Sequence, residues 1–232
     1  MSRLEILPVE GLPEVGPGAR LADLIADHAD LRDGDVVVVT QKVVSKAEGR
    51  LVVLDASDGE ARLRLIESES ARVLRRRGDL IVSQTAHGFV CANAGIDLSN
   101  VPDGTAALLP LDADRSARRV RDGLRARTGM QVAVIVSDTF GRPWRHGVTD
   151  VAIGCAGIAA VVDLRGTRDA QGRTLVVTEV AVADELASAA ELVMGKASGV
   201  PVAIVRGAEP SWFREGSVRA EIVRRPGDDL FR

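Results

Sequence analysis

The sequence predicts a mixed α/β (α+β) protein, and three observations lead to this class. Apolar runs typical of buried strands alternate with amphipathic helical segments, and glycine- or proline-containing turns separate them. The chain has 232 residues, of which 46% are hydrophobic, so it can bury a substantial core. Neither an internal repeat nor an interdomain linker is evident, which favours a single unit over residues 1–232.

The first half of the chain contains four predicted strands and two predicted helices. Residues 19–28 form a helix because their leucine and isoleucine side chains recur at the spacing of one helix face. The longest helical stretch is predicted over residues 58–77, where the late arginines suit the helix dipole. The four strands are predicted at residues 4–9, 36–39, 51–54 and 80–82.

The second half follows the same alternation. A loop rich in glycine and asparagine is expected at residues 91–100, and a loop rich in glycine and arginine at residues 141–147. Helices are predicted over 112–127, which opens with acids and closes with arginines, and over the alanine-rich segment 183–194. Strands are predicted at residues 105–109, 132–136, 174–182 and 202–205, and residues 151–162 form an apolar stretch.

Composition excludes several functional classes. The formal net charge is -3 and only 3% of residues are aromatic, which argues against nucleic-acid binding. No apolar run is long enough to span a bilayer, and the N-terminus lacks the features of a signal peptide. Cys91 and Cys155 make neither a disulfide framework nor a zinc site. We therefore expect a cytoplasmic protein without a membrane partner.

The common nucleotide and hydrolase motifs are absent from the sequence. It contains no G-x-x-x-x-G-K-[ST] loop, and no G-x-G-x-x-G sequence opens a helix after a strand. The G-x-S-x-G motif of serine hydrolases is also missing. P-loop and Rossmann architectures are therefore disfavoured.

Oxygen-bearing side chains stand at a strand end and in a tight loop. Asp138 and Thr139 directly follow an apolar β run, and Asp97 and Asn100 lie in the glycine-containing loop. Carboxylate, hydroxyl and amide oxygens suit Mg²⁺ or Mn²⁺ bridging phosphates rather than Zn²⁺. The alternative is that these residues only form turns, as Asp and Asn often do.

Only three of the 30 Lys and Arg residues are lysines, namely Lys42, Lys46 and Lys196. Lys46 comes just after a buried β run, where an ammonium can contact a phosphate, although a solvated surface lysine is the alternative. Arg142, Arg145 and Arg206 are further candidates for carboxylate or phosphate contacts, with surface salt bridges as the alternative.

Seven segments together resemble the coenzyme F420-0:L-glutamate ligase family, the F420 γ-glutamyl ligases. In chain order they read LPVEGLPEV, DGDVVVVTQKVVSKAEGR, CANAGIDLSNV, LLPLDADRSA, VSDTFGRPWRHGVTDVAIG, TEVAVADELASAAELVMGK and PVAIVRG. Each segment is modest alone, but they cover nearly the whole chain in the family's order.

The resemblance implies a fold particular to this family, in which α/β lobes interleave, and it implies a homodimer. It implies a reaction in which L-glutamate is joined to F420-0, with further γ-linked glutamates, driven by GTP through an acyl phosphate. Two divalent cations, Mg²⁺ or Mn²⁺, and K⁺ are implied as cofactors. Some relatives carry a C-terminal nitroreductase-like domain, so the chain is either a standalone ligase or an excised domain.

The resemblance also implies roles for individual residues. Asp97 and Asp138 would hold the first metal and Thr139 the second, and Asp97, Asp138 and Lys46 would serve catalysis. The expected GTP contacts are Leu12, Pro13, Glu14, Val15, Gln41, Lys46, Asn100, Gly195 and Lys196.

Two positions depart from the pattern of the resembled family. At Gln41 many relatives carry a small hydroxyl residue, and at Lys196 many carry Gln or Glu, which can serve the second metal. A protonated lysine cannot ligate, so the number of metals is open. A metal-dependent phosphatase or hydrolase, or a non-catalytic nucleotide-binding protein, remains an alternative to the ligase.

Overall fold

The computed structural model describes residues 3–55 and 57–229 of the chain. Its strands are β1 (Glu5–Pro8), β2 (Val36–Thr40), β3 (Leu51–Val53), β4 (Ser70–Arg77), β5 (Leu80–Thr85), β6 (Val90–Ala92), β7 (Thr105–Ala107), β8 (Ala133–Arg142), β9 (Arg145–Ala156), β10 (Val162–Asp163), β11 (Glu179–Val180) and β12 (Val202–Arg206). Its helices are α1 (Leu21–His28), α2 (Gln41–Ala47), α3 (Gly59–Ser68), α4 (Ala113–Thr128), α5 (Val182–Met194) and α6 (Val218–Glu221).

A five-stranded mixed sheet in the order β1-β12-β2-β8-β9 forms the centre of the fold. The β2–β8 pair is parallel, whereas the other neighbours are antiparallel. All four valines of the run 36–39 are buried, because each face of the sheet is covered. Val37 and Val39 face a core that includes α1 and α4, and Val36 and Val38 face one that includes α5 and α6. The mixed α/β prediction is therefore confirmed.

A smaller three-stranded sheet, β4-β5-β6, lies beside the main sheet and has its own core. That core consists of Ile66, Ile81 and Ala94, with α3 contributing the first of them. The short sheet of β3 and β7 and the hairpin of β10 and β11 complete the strand pairing of the described residues.

Three sequence predictions of secondary structure are wrong. The helix expected over residues 58–77 ends at Ser68, and Ser70–Arg77 is a strand paired with β5. The strand expected over residues 174–182 is reduced to Glu179–Val180, and α5 already begins at Val182. The loop expected at 141–147 is instead the tip of a hairpin, since β8 runs to Arg142 and β9 resumes at Arg145.

Two further expectations concern membrane spans and disulfides, and they can be compared with residues 3–55 and 57–229. Within them, no helix is both long enough and apolar enough to cross a bilayer. Both cysteines are free and buried, so neither takes part in a disulfide. The end of the segment 226–232, after which a second domain would follow in a longer chain, lies outside the described residues.

Candidate functional site

A cavity of about 610 Å³ lies at the edge of the main sheet where β2 ends and its parallel pairing with β8 stops. Parallel strands bring their carboxyl ends to one edge, which is where α/β sheets commonly bind ligands. The segment after β1 and the segment before β12 reach the same edge. The lining includes every residue for which the resemblance implies a role, namely Leu12, Pro13, Glu14, Val15, Gln41, Lys46, Asp97, Asn100, Asp138, Thr139, Gly195 and Lys196.

Asp97 enters the cavity from the loop that follows the small sheet. Its Oδ1 accepts hydrogen bonds from the amide and the hydroxyl of Ser99 at 2.7 and 2.8 Å, and Nζ of Lys42 lies 2.8 Å from its Oδ2. Burial raises the pKa of Asp97, but the hydrogen bonds from Lys42 and Ser99 outweigh burial and leave that pKa below its ordinary value. The carboxylate is thus held in its charged form.

Asp138 reaches the same cavity from β8, but its negative charge is less well compensated by hydrogen bonds and cations than that of Asp97. Burial raises the pKa of Asp138 to about 7, although the amide of Thr139 donates to its Oδ1 at 2.8 Å and opposes that rise. The carboxylates of Asp97 and Asp150 raise the pKa further, and Lys42 lowers it. A cation beside Asp138 would therefore stabilise its charged form.

The two carboxylates fit a hard divalent cation better than zinc. Among residues 3–55 and 57–229, no group of three or more His, Cys, Asp or Glu side chains is placed to hold a metal ion. A site of only two carboxylates suits Mg²⁺ or Mn²⁺, since such ions commonly take their remaining ligands from phosphates and water. Asp97 and Asp138 together meet that description.

A second polar group surrounds Lys196. Asp150 lies opposite Thr139 in the β8–β9 register, and its buried carboxylate accepts from the Thr139 hydroxyl at 2.7 Å. Nζ of Lys196 is 2.6 Å from both Thr139 Oγ1 and Asp150 Oδ1, and 3.0 Å from Oε1 of Glu191. Burial lowers the pKa of Lys196, but the hydrogen bonds and charges of Asp150 and Glu191 outweigh burial and raise that pKa above its ordinary value. Thr139, expected to hold a second metal, therefore contacts an ammonium.

Helix α2 carries Gln41 and Lys46, both predicted GTP contacts, and Ser45, which is bonded to Gln41. Gln41 is buried, and its amide nitrogen donates to Ser45 Oγ at 2.6 Å and to the carbonyl of Leu108 at 3.0 Å. Lys46, one turn further along, forms an ion pair with Glu14. The Gln41 amide nitrogen is thus committed to structural bonds, whereas Lys46 and Glu14 pair inside the cavity.

The three candidate arginines do not line the cavity. Arg206 forms an ion pair with the fully buried Asp35, with Nε and Nη2 at 2.9 and 2.8 Å from its two oxygens. Arg142 donates to the carbonyl of His146 at 3.2 Å within the exposed hairpin tip, where Arg145 also lies. For Arg206 the salt-bridge alternative is the one observed.

Comparison with known proteins gives a consistent result along the chain. The family model for F420-0:Gamma-glutamyl ligase matches residues 11–207. The chain belongs to the F420-0:gamma-glutamyl ligase family. It is 44% identical to the coenzyme F420:L-glutamate ligase of Methanothermobacter thermautotrophicus, with 99% of both chains covered. It is 45% identical to the enzyme of that name from Methanopyrus kandleri, with 99% of this chain and 97% of the relative covered.

In this F420-0:gamma-glutamyl ligase family member, the sequence did not predict Asp150, which lines the cavity, or Glu191, which pairs with Lys196. Asp150 precedes an apolar β run, and that position was the only signal that it is held at a sheet edge. Glu191 lies on the last turns of α5, and nothing in the local sequence distinguishes it from a surface glutamate. Lys42, noted only for its rarity, contacts Asp97 directly.

Proposed function

We propose that this protein joins L-glutamate to coenzyme F420-0 and can add further γ-linked glutamates, using GTP. The relatives described above are coenzyme F420:L-glutamate ligases, which supports the choice of substrates. The observation that carries the proposal is the cavity beside β2 and β8. It is lined by two carboxylates whose charges interact, Asp97 and Asp138, and by all three lysines. These are the groups that phosphoryl transfer requires for positioning and neutralising charge.

Amide formation from a carboxylate requires activation, because a carboxylate is a poor electrophile. In the proposed reaction, a carboxylate oxygen of F420-0 attacks the γ-phosphorus of GTP, and GDP leaves with the electrons of the broken P–O bond. The amine of glutamate then attacks the acyl phosphate, a C–N bond forms, and phosphate leaves as the nitrogen loses a proton. No side chain of the protein becomes covalently attached.

The lysines would bind the phosphates. Lys46 is nearly buried, but its partner Glu14 is 81% exposed and can turn into solvent when a phosphate takes its place. Asp97 and Asp138 would hold Mg²⁺ or Mn²⁺, which supplies positive charge to the phosphate oxygens. The GTP requirement, K⁺ and a homodimer remain part of this proposal.

A single assay tests the proposed function. The protein is incubated with F420-0, L-glutamate, GTP and Mn²⁺, and the product is expected to gain the mass of one glutamyl unit. A phosphatase or hydrolase would instead release phosphate without glutamate. A nucleotide-binding protein would show a thermal shift with GTP and no product.

Matched variants connect the assay to the site. Asp138→Asn keeps the size of the side chain but removes the charge, so we expect no ligation and a folded protein. Asp163→Asn is the control, since Asp163 lies in the separate β10–β11 hairpin and contacts Arg165 instead of the cavity. Retained ligation in Asp138→Asn would contradict the assignment of the site.

A further inference from the structure

Lys196 is a cation that the chain itself places among anionic and polar oxygens. Its ammonium contacts Thr139 Oγ1 and Asp150 Oδ1 at 2.6 Å, and Glu191 Oε1 at 3.0 Å. These oxygens come from the β8–β9 hairpin and from α5. A lysine ammonium has three protons to donate, so the three contacts use its full donor capacity.

Asp150 and Asp138 differ sharply in how their charges are compensated. The carboxylate of Asp150 accepts from Lys196, from the Thr139 hydroxyl, and from Ser137 Oγ at 3.1 Å. The carboxylate of Asp138 has one hydrogen bond, from the amide of Thr139. Asp150 is buried and forms an ion pair with Lys196, whereas among the described residues the half-buried Asp138 has no ion-pair partner within 4 Å.

We propose that the Lys196 ammonium permanently occupies the cation position formed by Thr139, Asp150 and Glu191, so that the cavity binds a single divalent cation. That cation belongs at Asp97 and Asp138, and this inference rests on the metal site of the proposed function. A protonated lysine has no free electron pair, so Lys196 cannot ligate a metal and excludes one by its charge and position. It supplies one fixed positive charge to a bound phosphate group.

The position of Lys196 explains why its charge stays in the cavity. Gly195 ends α5 with a φ of 60°, a left-handed conformation that favours glycine and redirects the chain. Glu191 lies in the last turn of α5, so Lys196 is held by the preceding helix as well as by the sheet. The Lys196 side chain is 52% exposed and lines the cavity.

Counting bound Mn²⁺ tests the inference without any substrate. Free Mn²⁺ is measured by electron paramagnetic resonance while the ion alone is titrated into the whole protein. We expect one Mn²⁺ per chain in the natural protein and two in Lys196→Gln, whose amide oxygen can ligate once the ammonium is gone. In the double variant Lys196→Gln with Asp150→Asn, the number should return to one, because the second ion needs the Asp150 carboxylate.

The possible results separate this inference from the proposed function. Two ions in the natural protein, or still one in Lys196→Gln, would overturn the role of Lys196 and leave the ligase proposal intact. No bound ion in the natural protein would overturn the Asp97–Asp138 metal site and this inference with it. Circular dichroism of each variant shows that the count refers to folded protein.

Discussion

Nζ of Lys42 lies 2.8 Å from Oδ2 of Asp97, so the carboxylate expected to hold a metal is already paired with an ammonium. The same lysine donates to Ser99 Oγ at 2.9 Å, which gives it a second partner in the loop. Any cation that binds at Asp97 must therefore compete with Lys42. If Asp97 holds a metal as proposed, Lys42 would lower the affinity of that site for the ion.

Substitution Lys42→Gln is expected to strengthen Mn²⁺ binding by about tenfold, because a charge-assisted hydrogen bond of about 1.5–3 kcal/mol no longer competes. The metal-free variant should unfold at a lower temperature, since Asp97 and Asp138 then repel each other without a nearby ammonium. Calorimetric titration at pH 8, where both carboxyl groups are ionised, measures the affinity.

Lys46→Gln is the matched control for that titration. Lys46 lies one helical turn further along α2 and pairs with Glu14 instead of Asp97. Its loss should leave the Mn²⁺ affinity of the nucleotide-free protein nearly unchanged. Weaker Mn²⁺ binding in Lys42→Gln would mean that the lysine organises the site rather than competing for it.

The raised pKa of Asp138 makes the stability of the metal-free protein depend on pH. Its pKa is about 7 in the folded chain against 3.8 ordinarily, so the folded state binds more protons between those values. The free energy of unfolding should therefore fall as the pH rises from about 4 to about 7. The expected loss is on the order of a few kcal/mol, and Mn²⁺ should restore it.

The variant Asp138→Asn isolates this contribution because the amide does not ionise. Urea unfolding of the metal-free variant should show greater stability than the natural protein at pH 8 and similar stability at pH 4. If the natural protein were as stable as the variant at pH 8, burial of Asp138 would not carry the cost assigned to it. A gain in stability with loss of ligation would mark a functional residue.

Sequence patterns predicted the parts of this fold that local rules determine. The valine run of β2 is buried on both faces, and α4 has an acidic N-cap, Asp112, and a left-handed C-cap, Gly129. Strand β4 was predicted as helix. It carries four arginines, pairs with only one neighbour and is mostly exposed, so apolar and polar residues alternate only weakly along it.

The site was predictable only where a residue belongs to a recognisable segment. Asp97 and Asp138 stand in such segments, but their mutual repulsion depends on burial, which spacing does not reveal. Asp150 lines the cavity because of its antiparallel register with Thr139, and Glu191 reaches Lys196 from α5. Helix α2 has only seven residues and begins directly after β2, too short for its period to be read.

We predict that the Gln41 side chain mainly stabilises the fold. In Gln41→Met the side chain keeps its size but can no longer donate to Ser45 and the Leu108 carbonyl, which tie α2 to the end of β7. We expect a loss of about 1–3 kcal/mol in the free energy of unfolding, measured by urea denaturation. Gln41→Ser, which introduces a smaller hydroxyl side chain, should lose more because it also leaves a cavity.

A nucleotide titration separates that role from direct recognition. If Gln41 only holds α2, GTP affinity in Gln41→Met should change in proportion to the loss of stability and recover when the protein is stabilised by Mn²⁺. A large loss of GTP affinity with normal unfolding behaviour would instead show that its side chain contacts the nucleotide.

The contact between β9 and the start of α4 depends on a glycine. A Cβ atom at Gly154 would lie 2.2 Å from the backbone carbonyl carbon of Ala113, a distance that no small adjustment of a side chain relieves. Gly154→Ala should therefore push α4 away from the sheet and destabilise the protein by about 3 kcal/mol or more. Urea denaturation measures the change.

Gly141→Ala, in the adjacent strand β8, is the control, since a Cβ there meets nothing within 4 Å. Equal stability of the two variants would show that the backbone contact at Gly154 does not limit the packing of α4.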